Sequence, residues 1–395
     1  MTKIEKKIWD WICSHILELA VVLGSILSLL ARYGMRDFVS RDMSSYLLPW
    51  FDEIKTGGIA ALNHTVGNYN MPYQTLIALM TYIPIDPIYQ YKILSSLFDL
   101  LQGIVVSKIV FLVTKDKLKT CITYIISILL PTILMNSSLW GQCDSIYTSF
   151  CLLTLLLMLE EKYTGAFVSF GIAFAFKFQA VFFLPFMLWA YVRQKRFSIL
   201  NFLWIPTMMI ILSLGGIIQE QSIWKIFSIY RDQLQFASMS VNYPSLWAVM
   251  IETYGRNNAD YYIELHIFAI VMAVVVLMII MSMILRSKKN DDLISVAFLS
   301  VYTCIIFLPN MHERYGYLYI VLGLVVAIIR YRMRLAYILL LIIDMMSYAN
   351  YLFKMIPEWQ VLGIINFGVY CYCAFCVIKP MFYEEMLDSD TSSIA

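Results

Sequence analysis

Charged side chains are scarce in this chain of 395 residues. Asp, Glu, Lys and Arg make up 14% of the sequence, whereas hydrophobic residues make up 61%. The mean hydropathy is +0.73, which means far more apolar surface than one water-soluble core could bury. The composition therefore predicts an all-α polytopic integral membrane protein. A net charge of only +2 gives no support to nucleic-acid binding.

Several motifs that identify soluble enzymes are also missing. The chain has no GxGxxG or GxxxxGK[ST] loop, so a nucleotide bound in a soluble Rossmann-like domain is disfavoured. Its eight Cys residues do not form a paired CxxC…CxxC pattern, so neither a zinc site nor a disulfide framework is indicated. The acidic residues are not spaced as a ligand cluster, and we expect no obligatory metal.

Long apolar runs fill most of the chain. The first run, 11–30, follows Lys3, Lys6 and Lys7 but is too long for the apolar region of a signal peptide, so we expect an uncleaved first span. At about 20 apolar residues per span, and fewer where helices are broken, the runs predict about 12 transmembrane helices. These are expected near 11–31, 88–113, 119–135, 143–159, 163–176, 178–192, 199–217, 263–285, 294–310, 315–330, 334–354 and 359–378.

The basic residues predict the orientation of a single transmembrane domain covering 1–395. Basic clusters around 115–119, 193–196, 286–289 and 330–334 all fall on the side of the Lys-rich N-terminus under this count. The positive-inside rule then places both termini in the cytoplasm.

Two long polar segments, 32–87 and 218–262, would face outward and contain short interfacial helices. The run from Met71 to Pro84 is too short to span, so we expect a helix near the outer surface. If it does span, every later loop changes side.

The segment from Leu308 to Tyr315 places three ionisable residues, His312, Glu313 and Arg314, between two apolar runs. A charge at the centre of a membrane helix costs about 2.5 to 3.5 kcal/mol, so such a cluster indicates function. A helix beginning near Asn310 would place Arg314 in its first turn, where free N–H groups and a planar guanidinium both favour a phosphate. His312 could also contact the phosphate. Alternatively, Glu313 pairs with Arg314 at the interface and His312 faces water.

The first outer segment carries two acidic residues just after the first span, each beside an Arg. A carboxylate at the membrane boundary can take a proton from a hydroxyl that comes within hydrogen-bond reach. Asp42 is the first candidate for this base and Asp37 the second. The alternative is a pair of solvated surface salt bridges that contribute little.

Two further polar features interrupt the apolar runs. In the turn 136–145, Asp144 either caps the next helix or contacts a ligand, and Trp140 either stacks on a sugar ring or marks the membrane interface. In the stretch 176–179, Lys177 lies between two Phe residues at the turn of a short broken helix pair, which suggests a cavity at membrane level. The alternative is that Lys177 reaches the outer interface without a ligand.

Five motifs in this order resemble bacterial membrane glycosyltransferases of the GT-C superfamily, related to the second mannosyltransferase of GPI-anchor synthesis. The resemblance covers roughly residues 1–330. The motifs are Arg41-Asp42 with Tyr46 and Pro49-Trp50, then Asn68-Tyr69-Asn70-Met71-Pro72-Tyr73, Trp140-Gly141-Gln142-Cys143-Asp144-Ser145, Lys177-Phe178-Gln179 and Met311-His312-Glu313-Arg314-Tyr315. Two positions depart from the family: Phe178 stands where Pro is more common, and Cys143 occupies a variable place.

The resemblance implies a GT-C fold and an enzyme that moves a hexose from a polyprenyl-phosphate donor to an extracytoplasmic glycan or glycolipid. It assigns the base to Asp42 and the lipid phosphate to Lys177 and Arg314. No cofactor beyond the lipid-linked sugar is expected, and a single displacement would invert the anomeric centre. The substrate-binding residues implied are Tyr69, Trp140, Gln142, Asp144, Gln179, Glu313 and Tyr315.

Two other functions remain open from the sequence. A transporter or flippase for a lipid-linked glycan would also have many spans and broken helices, although no repeat relates 1–192 to 199–378. A polysaccharide polymerase or ligase would use the same carrier chemistry with a lipid-linked glycan as acceptor or donor.

Overall fold

The computed structural model describes residues 1–233, 238–250, 259–287 and 292–392, with the backbone alone at 259–262 and 380–392. It is 81% helical, which confirms the prediction of an all-α protein.

In the first half of the chain, long apolar helices alternate with short helices. They are α1 (Lys3–Ser14), α2 (Ile16–Gly34), α3 (Leu48–Gly57), α4 (Met71–Met80), α5 (Pro87–Thr114), α6 (Lys117–Leu129), α7 (Pro131–Leu134), α8 (Asp144–Leu159), α9 (Tyr163–Phe176) and α10 (Leu184–Gln194). Short π-helical segments occupy Met43–Leu47 and Met135–Trp140, and 3₁₀ segments occupy Gly58–Asn63 and Phe178–Phe183.

The second half has the same character. Its helices are α11 (Trp204–Leu212), preceded by a 3₁₀ turn at Ile199–Leu203, then α12 (Leu214–Ile218), α13 (Ile223–Asp232), α14 (Leu246–Met250), α15 (Ala259–Arg286), α16 (Leu293–Phe307), α17 (Tyr317–Ile329), α18 (Arg334–Phe353) with a 3₁₀ turn at Tyr331–Met333, and α19 (Trp359–Ser392). Two short parallel strands, β1 (Ser240–Val241) and β2 (Met311–His312), pair with each other.

Among the described residues, five helices are long and apolar enough to cross a membrane, and a bent pair makes a possible sixth. The five segments are Ile16–Gly34, Pro87–Thr114, Ile263–Arg286, Tyr331–Phe353 and Trp359–Lys379. The bent pair joins α6 to 131–140 at an angle of 42°. This supports a membrane-embedded protein, whereas the predicted number of twelve spans stays a prediction.

Five shorter apolar helices account for most of the other predicted spans. They are Asp144–Leu159, Tyr163–Phe176, Ile199–Leu212, Leu293–Phe307 and Tyr317–Ile329. Every residue of α16 is buried, so this helix is enclosed by protein on all sides. Its 15 residues span only about 22 Å at 1.5 Å per residue, less than the roughly 30 Å of a bilayer core. At its C-terminal end, α16 is followed by the non-helical polar segment 308–316.

The first predicted span differs from the structure at its start. The expected run 11–31 is divided at His15 between α1 and α2, because His15 leaves helical geometry at φ −117° and ψ 23°. The residues of α1 are not buried, whereas Gly24, Ser28 and Arg32 of α2 pack against the body of the protein. The apolar span thus begins at Ile16 and continues to Gly34.

The polar segment 32–87 supplies most of a second, smaller core. Helix α4 forms within the run predicted to be helical, and most of its residues are buried by the protein around it. Its position near the outer membrane surface stays a prediction. Apolar side chains from α3, α4 and the start of α5 meet in this core. The core fixes the position of the chain that carries Asp42.

Candidate functional site

The Asp42 carboxylate is held by three donors from distant parts of the chain. Trp140 Nε1 donates to Oδ2 at 3.0 Å and Gln142 Nε2 donates to the same oxygen at 3.1 Å. The Tyr351 hydroxyl donates to Oδ1. An ionised carboxylate offers about four acceptor positions. The three donors occupy three of these positions and leave about one for another donor.

Two π-helical segments border this carboxylate, and such segments are frequent at functional sites. Met43–Leu47 begins directly after Asp42, and Met135–Trp140 ends at Trp140. Gly141 then turns the chain with φ +78°, and a Cβ there would lie 2.4 Å from the Met43 side chain. Glycine at this position lets the two segments approach each other closely.

Gln142 connects the Asp42 carboxylate to a cation. Its amide nitrogen donates to Asp42, while its Oε1 accepts from the Tyr69 hydroxyl at 2.8 Å and from Arg314 Nη1. The Arg314 guanidinium also lies 5.7 Å from the centre of the Trp140 ring. Asp42, Tyr69, Trp140, Gln142 and Arg314, which the sequence assigned to one site, are therefore brought together.

The prediction that Arg314 lies in the first turn of a helix is wrong. Helix α17 begins at Tyr317, and the chain before it is extended where Met311 pairs with Ser240. Asn310 has φ +60°, a left-handed conformation that a helix starting there would not allow. The N-terminus of α17 therefore lies after Arg314, and Arg314 is not part of a helix N-terminal anion site.

Glu313 is buried beside Arg314. Its Oε2 has no hydrogen-bond partner among the residues that the structure describes, while the Asn242 side chain hydrogen-bonds the carboxyl group. Burial raises the pKa of Glu313 to about 7, and the charge of Arg314 opposes that rise. Glu313 is thus half protonated near neutral pH, unlike an ordinary surface carboxylate.

His312 does not face open water, contrary to the alternative considered for it. Its ring lies 4.9 Å from that of Tyr315, at an angle of 44°. Burial, followed by the charges of Arg314 and Lys177, lowers its pKa to about 3. The imidazole is therefore neutral at physiological pH, and it can hydrogen-bond a phosphate but adds no charge to it.

Lys177 forms a buried ion pair with Asp144. The ammonium group donates to Asp144 Oδ1, and the other carboxylate oxygen accepts from Asn136 Nδ2 at 3.0 Å. The Tyr147 ring lies 5.7 Å from the Lys177 ammonium. Lys177 does not reach the interface as a solvated cation, and Asp144 makes no capping bond to the helix it begins. A phosphate bound at Lys177 would share the ammonium with this carboxylate.

The hairpin predicted around Lys177 is present. Lys177 is extended at φ −152° and ψ 130°, between α9 and the 3₁₀ turn that contains Gln179. The Gln179 side chain hydrogen-bonds Tyr315, so the hairpin contacts the segment that carries Arg314. The two polar breaks between apolar helices therefore meet in space.

A cleft of about 240 Å³ lies beside this junction. Gln179 and Tyr315 form its polar end, and His266 and Ile270 of α15 form part of its wall. The remaining lining residues are mainly apolar: Phe178, Val181, Phe182, Gln233, Leu308, Pro309, Asn310 and Met311. Because α15 is among the helices long enough to cross a membrane, the cleft has one wall on a membrane-facing helix.

Asp37 lies apart from this cluster. Its side chain is 61% exposed and pairs with Arg36 at 3.1 Å, and it accepts a hydrogen bond from Tyr89 at 2.8 Å. Neither partner belongs to the set around Asp42. The surface salt-bridge alternative therefore describes Asp37, and Asp42 is the acidic residue of the first segment that joins the site.

The sequence did not point to Tyr351 or Asn136 as site residues. Tyr351 lies near the end of a predicted span, where an aromatic residue is typical of any membrane interface. Its ring stacks on Trp140 at 4.4 Å and 14°, and its hydroxyl reaches Asp42. Asn136 was visible as part of the polar turn, but its bonds to Asp144 and to the Tyr348 hydroxyl require the folded chain.

A second buried ion pair, Arg32–Asp99, lies next to the site. Arg32 binds Asp99 at 2.7 Å and also donates to the hydroxyls of Ser137 and Ser138. The Tyr317 hydroxyl donates to the other Asp99 oxygen at 2.8 Å. The network thus ties the segment that ends at Trp140 to the start of the helix that follows Arg314.

In comparisons with known proteins, no protein-family model matches this chain and no curated protein is significantly similar to it.

Proposed function

We propose that this protein is a membrane glycosyltransferase that moves a hexose from a polyprenyl-phosphate donor to a glycan or glycolipid acceptor. The observation that carries the proposal is the direct link from Asp42 through Gln142 to Arg314. It places a carboxylate and a guanidinium on the two sides of one amide. Transfer from a lipid phosphate needs these two groups, one to take a proton and one to stabilise departing negative charge.

In this mechanism Asp42 is the general base. The acceptor hydroxyl gives its proton to Asp42 as its oxygen forms a bond to the anomeric carbon of the sugar. The bond between that carbon and the phosphate oxygen breaks, and its electron pair leaves with the polyprenyl phosphate. One displacement of this kind inverts the anomeric centre. Trp140, Gln142 and Tyr351 keep the carboxylate in place while the proton is transferred.

Arg314 is the main group for the leaving phosphate. Its planar fork suits two phosphate oxygens, and its bond to Gln142 orients it. Lys177 contributes less than a free ammonium would, because Asp144 already neutralises it. His312 supplies a neutral hydrogen-bonding group beside them.

The cleft next to Tyr315 suits the first isoprene units of the donor. Its apolar walls and its wall on α15 would let a hydrocarbon chain enter from the lipid while the phosphate lies near Arg314. Tyr69, Gln142, Gln179 and Glu313 would then contact the sugar. We further propose a GT-C fold with both termini in the cytoplasm and the Asp42 cluster on the outer face.

Binding of a synthetic polyprenyl phosphate to the purified protein in detergent tests this assignment. Arg314→Gln should weaken binding about tenfold or more, because it removes a charged hydrogen-bond donor to phosphate. Arg231→Gln, which changes an exposed Arg paired with its neighbour Asp232, is the matched control and should leave affinity unchanged. Equal affinity of the wild type and Arg314→Gln would remove Arg314 from the donor site.

Membranes from cells with and without the protein provide the test of the reaction class. A glycosyltransferase should leave one unused lipid-linked sugar accumulated and one glycan substituent lost when it is absent. Accumulation of a complete lipid-linked glycan on the inner leaflet would indicate a flippase instead.

A further inference from the structure

A groove separate from the Asp42 cluster runs between α2 and α5. Its volume is about 470 Å³, and apolar side chains form most of its walls. Leu29 comes from α2, and Ile93, Leu97 and Leu100 come from successive turns of α5. Both helices are long and apolar enough to cross a membrane, so the groove would be open to lipid chains.

Positive charge collects at one end of the groove, where α2 stops. Arg32, Arg36 and Lys92 line it, together with the hydroxyl-bearing side chains of Tyr33 and Tyr89. Among the described residues, Asp99 pairs with Arg32 and Asp37 pairs with Arg36. Lys92 pairs with no carboxylate in the described part of the chain, so no direct contact neutralises its charge.

Lys92 holds the chain at this end in place. Its ammonium donates to the carbonyl oxygens of Met35 and Arg36, each at 2.9 Å, and of Phe38 at 2.6 Å. These carbonyls follow the C-terminus of α2, where a cation is favoured by the helix dipole. All three ammonium protons are used, so Lys92 contributes its charge to the groove rather than a free donor.

Arg36 is the cation that can still bind a ligand. It donates to the Tyr33 carbonyl at 2.9 Å, pairs with Asp37 at 3.1 Å and lies over the Tyr33 ring at 3.8 Å. A guanidinium has five N–H donors, so these contacts leave donors for another anion. Its side chain is 38% exposed at the rim of the groove.

We propose that this groove binds an anionic phospholipid, with one hydrocarbon chain between α2 and α5 and the phosphate at Arg36. Apolar walls with a positive end match a molecule that has a long apolar chain and a negative head group. Free phosphate would leave the apolar walls unfilled. This inference does not depend on the proposed transfer reaction.

Thermal unfolding of the full chain in a neutral detergent tests the site. Added phosphatidylglycerol should raise the unfolding temperature more than phosphatidylcholine does, and glycerol 3-phosphate alone should not raise it. Arg36→Gln should weaken the apparent affinity for phosphatidylglycerol about fivefold. Lys55→Gln, at an exposed Lys away from the groove, is its control.

A groove-filling variant separates chain binding from charge. Leu97→Trp places a larger side chain in the groove, whereas Leu101→Trp changes an exposed Leu of the same helix that does not line it. The rise in unfolding temperature caused by phosphatidylglycerol should be smaller in Leu97→Trp and unchanged in Leu101→Trp. The proposal would be overturned if the two lipids raised the unfolding temperature equally, or if the two Trp variants responded equally to phosphatidylglycerol. It would also be overturned if glycerol 3-phosphate alone gave the full rise.

Discussion

At the scale of single residues, the site depends on contacts that orient one carboxylate. Asp42 accepts from an indole, an amide and a phenol, and these three donors come from two separate regions of the chain. The sequence predicted Asp42 from its place after the first span and Trp140 from the polar turn 136–145, and the family resemblance implied Gln142. The sequence could not predict Tyr351, since a bond across 309 positions depends on the packing of whole helices.

Tyr351→Phe tests this orienting role. Phe retains the ring that stacks on Trp140 but removes the hydroxyl that donates to Asp42. We expect kcat for sugar transfer to fall about tenfold, since a hydrogen bond to a charged group is worth roughly 1.5 to 3 kcal/mol. Donor affinity should not change. Tyr372→Phe is the control, because its hydroxyl contacts the Arg332 carbonyl, and it should change neither kcat nor donor affinity. An unchanged kcat in Tyr351→Phe would mean that the Tyr351 hydroxyl has no role in transfer.

Glu313 makes stability depend on pH. Its pKa is about 7 in the folded protein against an ordinary value of 4.5, so the folded state binds more protons than the unfolded state between these values. Its contribution to stability is therefore greatest below about pH 4.5 and is lost as the pH rises through about 7.

Unfolding temperatures measured in detergent across this range provide the test. Glu313→Gln should reduce the fall of the unfolding temperature with rising pH. Glu358→Gln, which changes an exposed carboxylate outside the cluster, should leave that fall unchanged. An unchanged slope in Glu313→Gln would mean that another group causes the dependence.

At the scale of elements, the site lies where helices break. The sequence predicted breaks at 136–145, 176–179 and 308–315 from interrupted hydropathy. In the structure the regular α-helices are interrupted within each stretch, by the π-helical segment that ends at Trp140, by the extended Lys177 and by the segment before α17. The conformation within a break was not predictable. Asn310 has a positive φ directly before β2, and β2 pairs with β1, which lies about 70 residues earlier in the chain.

Gly141 gives the clearest test at this scale. Ala at φ +78° costs about 1 to 2 kcal/mol, and its Cβ would also meet Met43 next to Asp42. We expect Gly141→Ala to lower both the unfolding temperature and the transfer rate.

Gly58→Ala is the matched control for this change. Gly58 also has a positive φ, +61°, but a Cβ there would meet open space. Its ψ of −155° lies in a region that essentially only Gly adopts, so this variant should lose at least as much stability as Gly141→Ala and still keep its transfer rate. If the two variants lost the same stability and the same activity, the close approach of Gly141 to Met43 would not matter for the site.

At the scale of the whole molecule, hydropathy predicted where most helices lie but not how they are arranged. Helix α16 is fully buried and α5 is partly exposed, yet hydropathy predicts both as membrane spans. The small core around segment 32–87 was not predictable either, because its buried members are spread along the chain from Met43 to Ile226. The orientation of the chain in the membrane is predicted only from the distribution of Lys and Arg along the sequence.

Cysteine labelling in intact cells tests that orientation. Cys13 and Cys371 are exposed and should first be changed to Ser. Ile59→Cys, in the segment that carries Asp42, should then react with a membrane-impermeant maleimide. Lys162→Cys lies beyond the far end of α8, about 24 Å from Asp144, and should react only after lysis. The reverse pattern would place the Asp42 cluster in the cytoplasm.

Sugar transfer by purified Asp42→Asn, compared with Asp37→Asn, tests the central claim most directly. Both variants replace a carboxylate in the same segment, but only Asp42 contacts Trp140, Gln142 and Tyr351. The account predicts that Asp42→Asn binds polyprenyl phosphate as the wild type does and transfers no sugar, while Asp37→Asn remains active. Full turnover by correctly folded Asp42→Asn would contradict it.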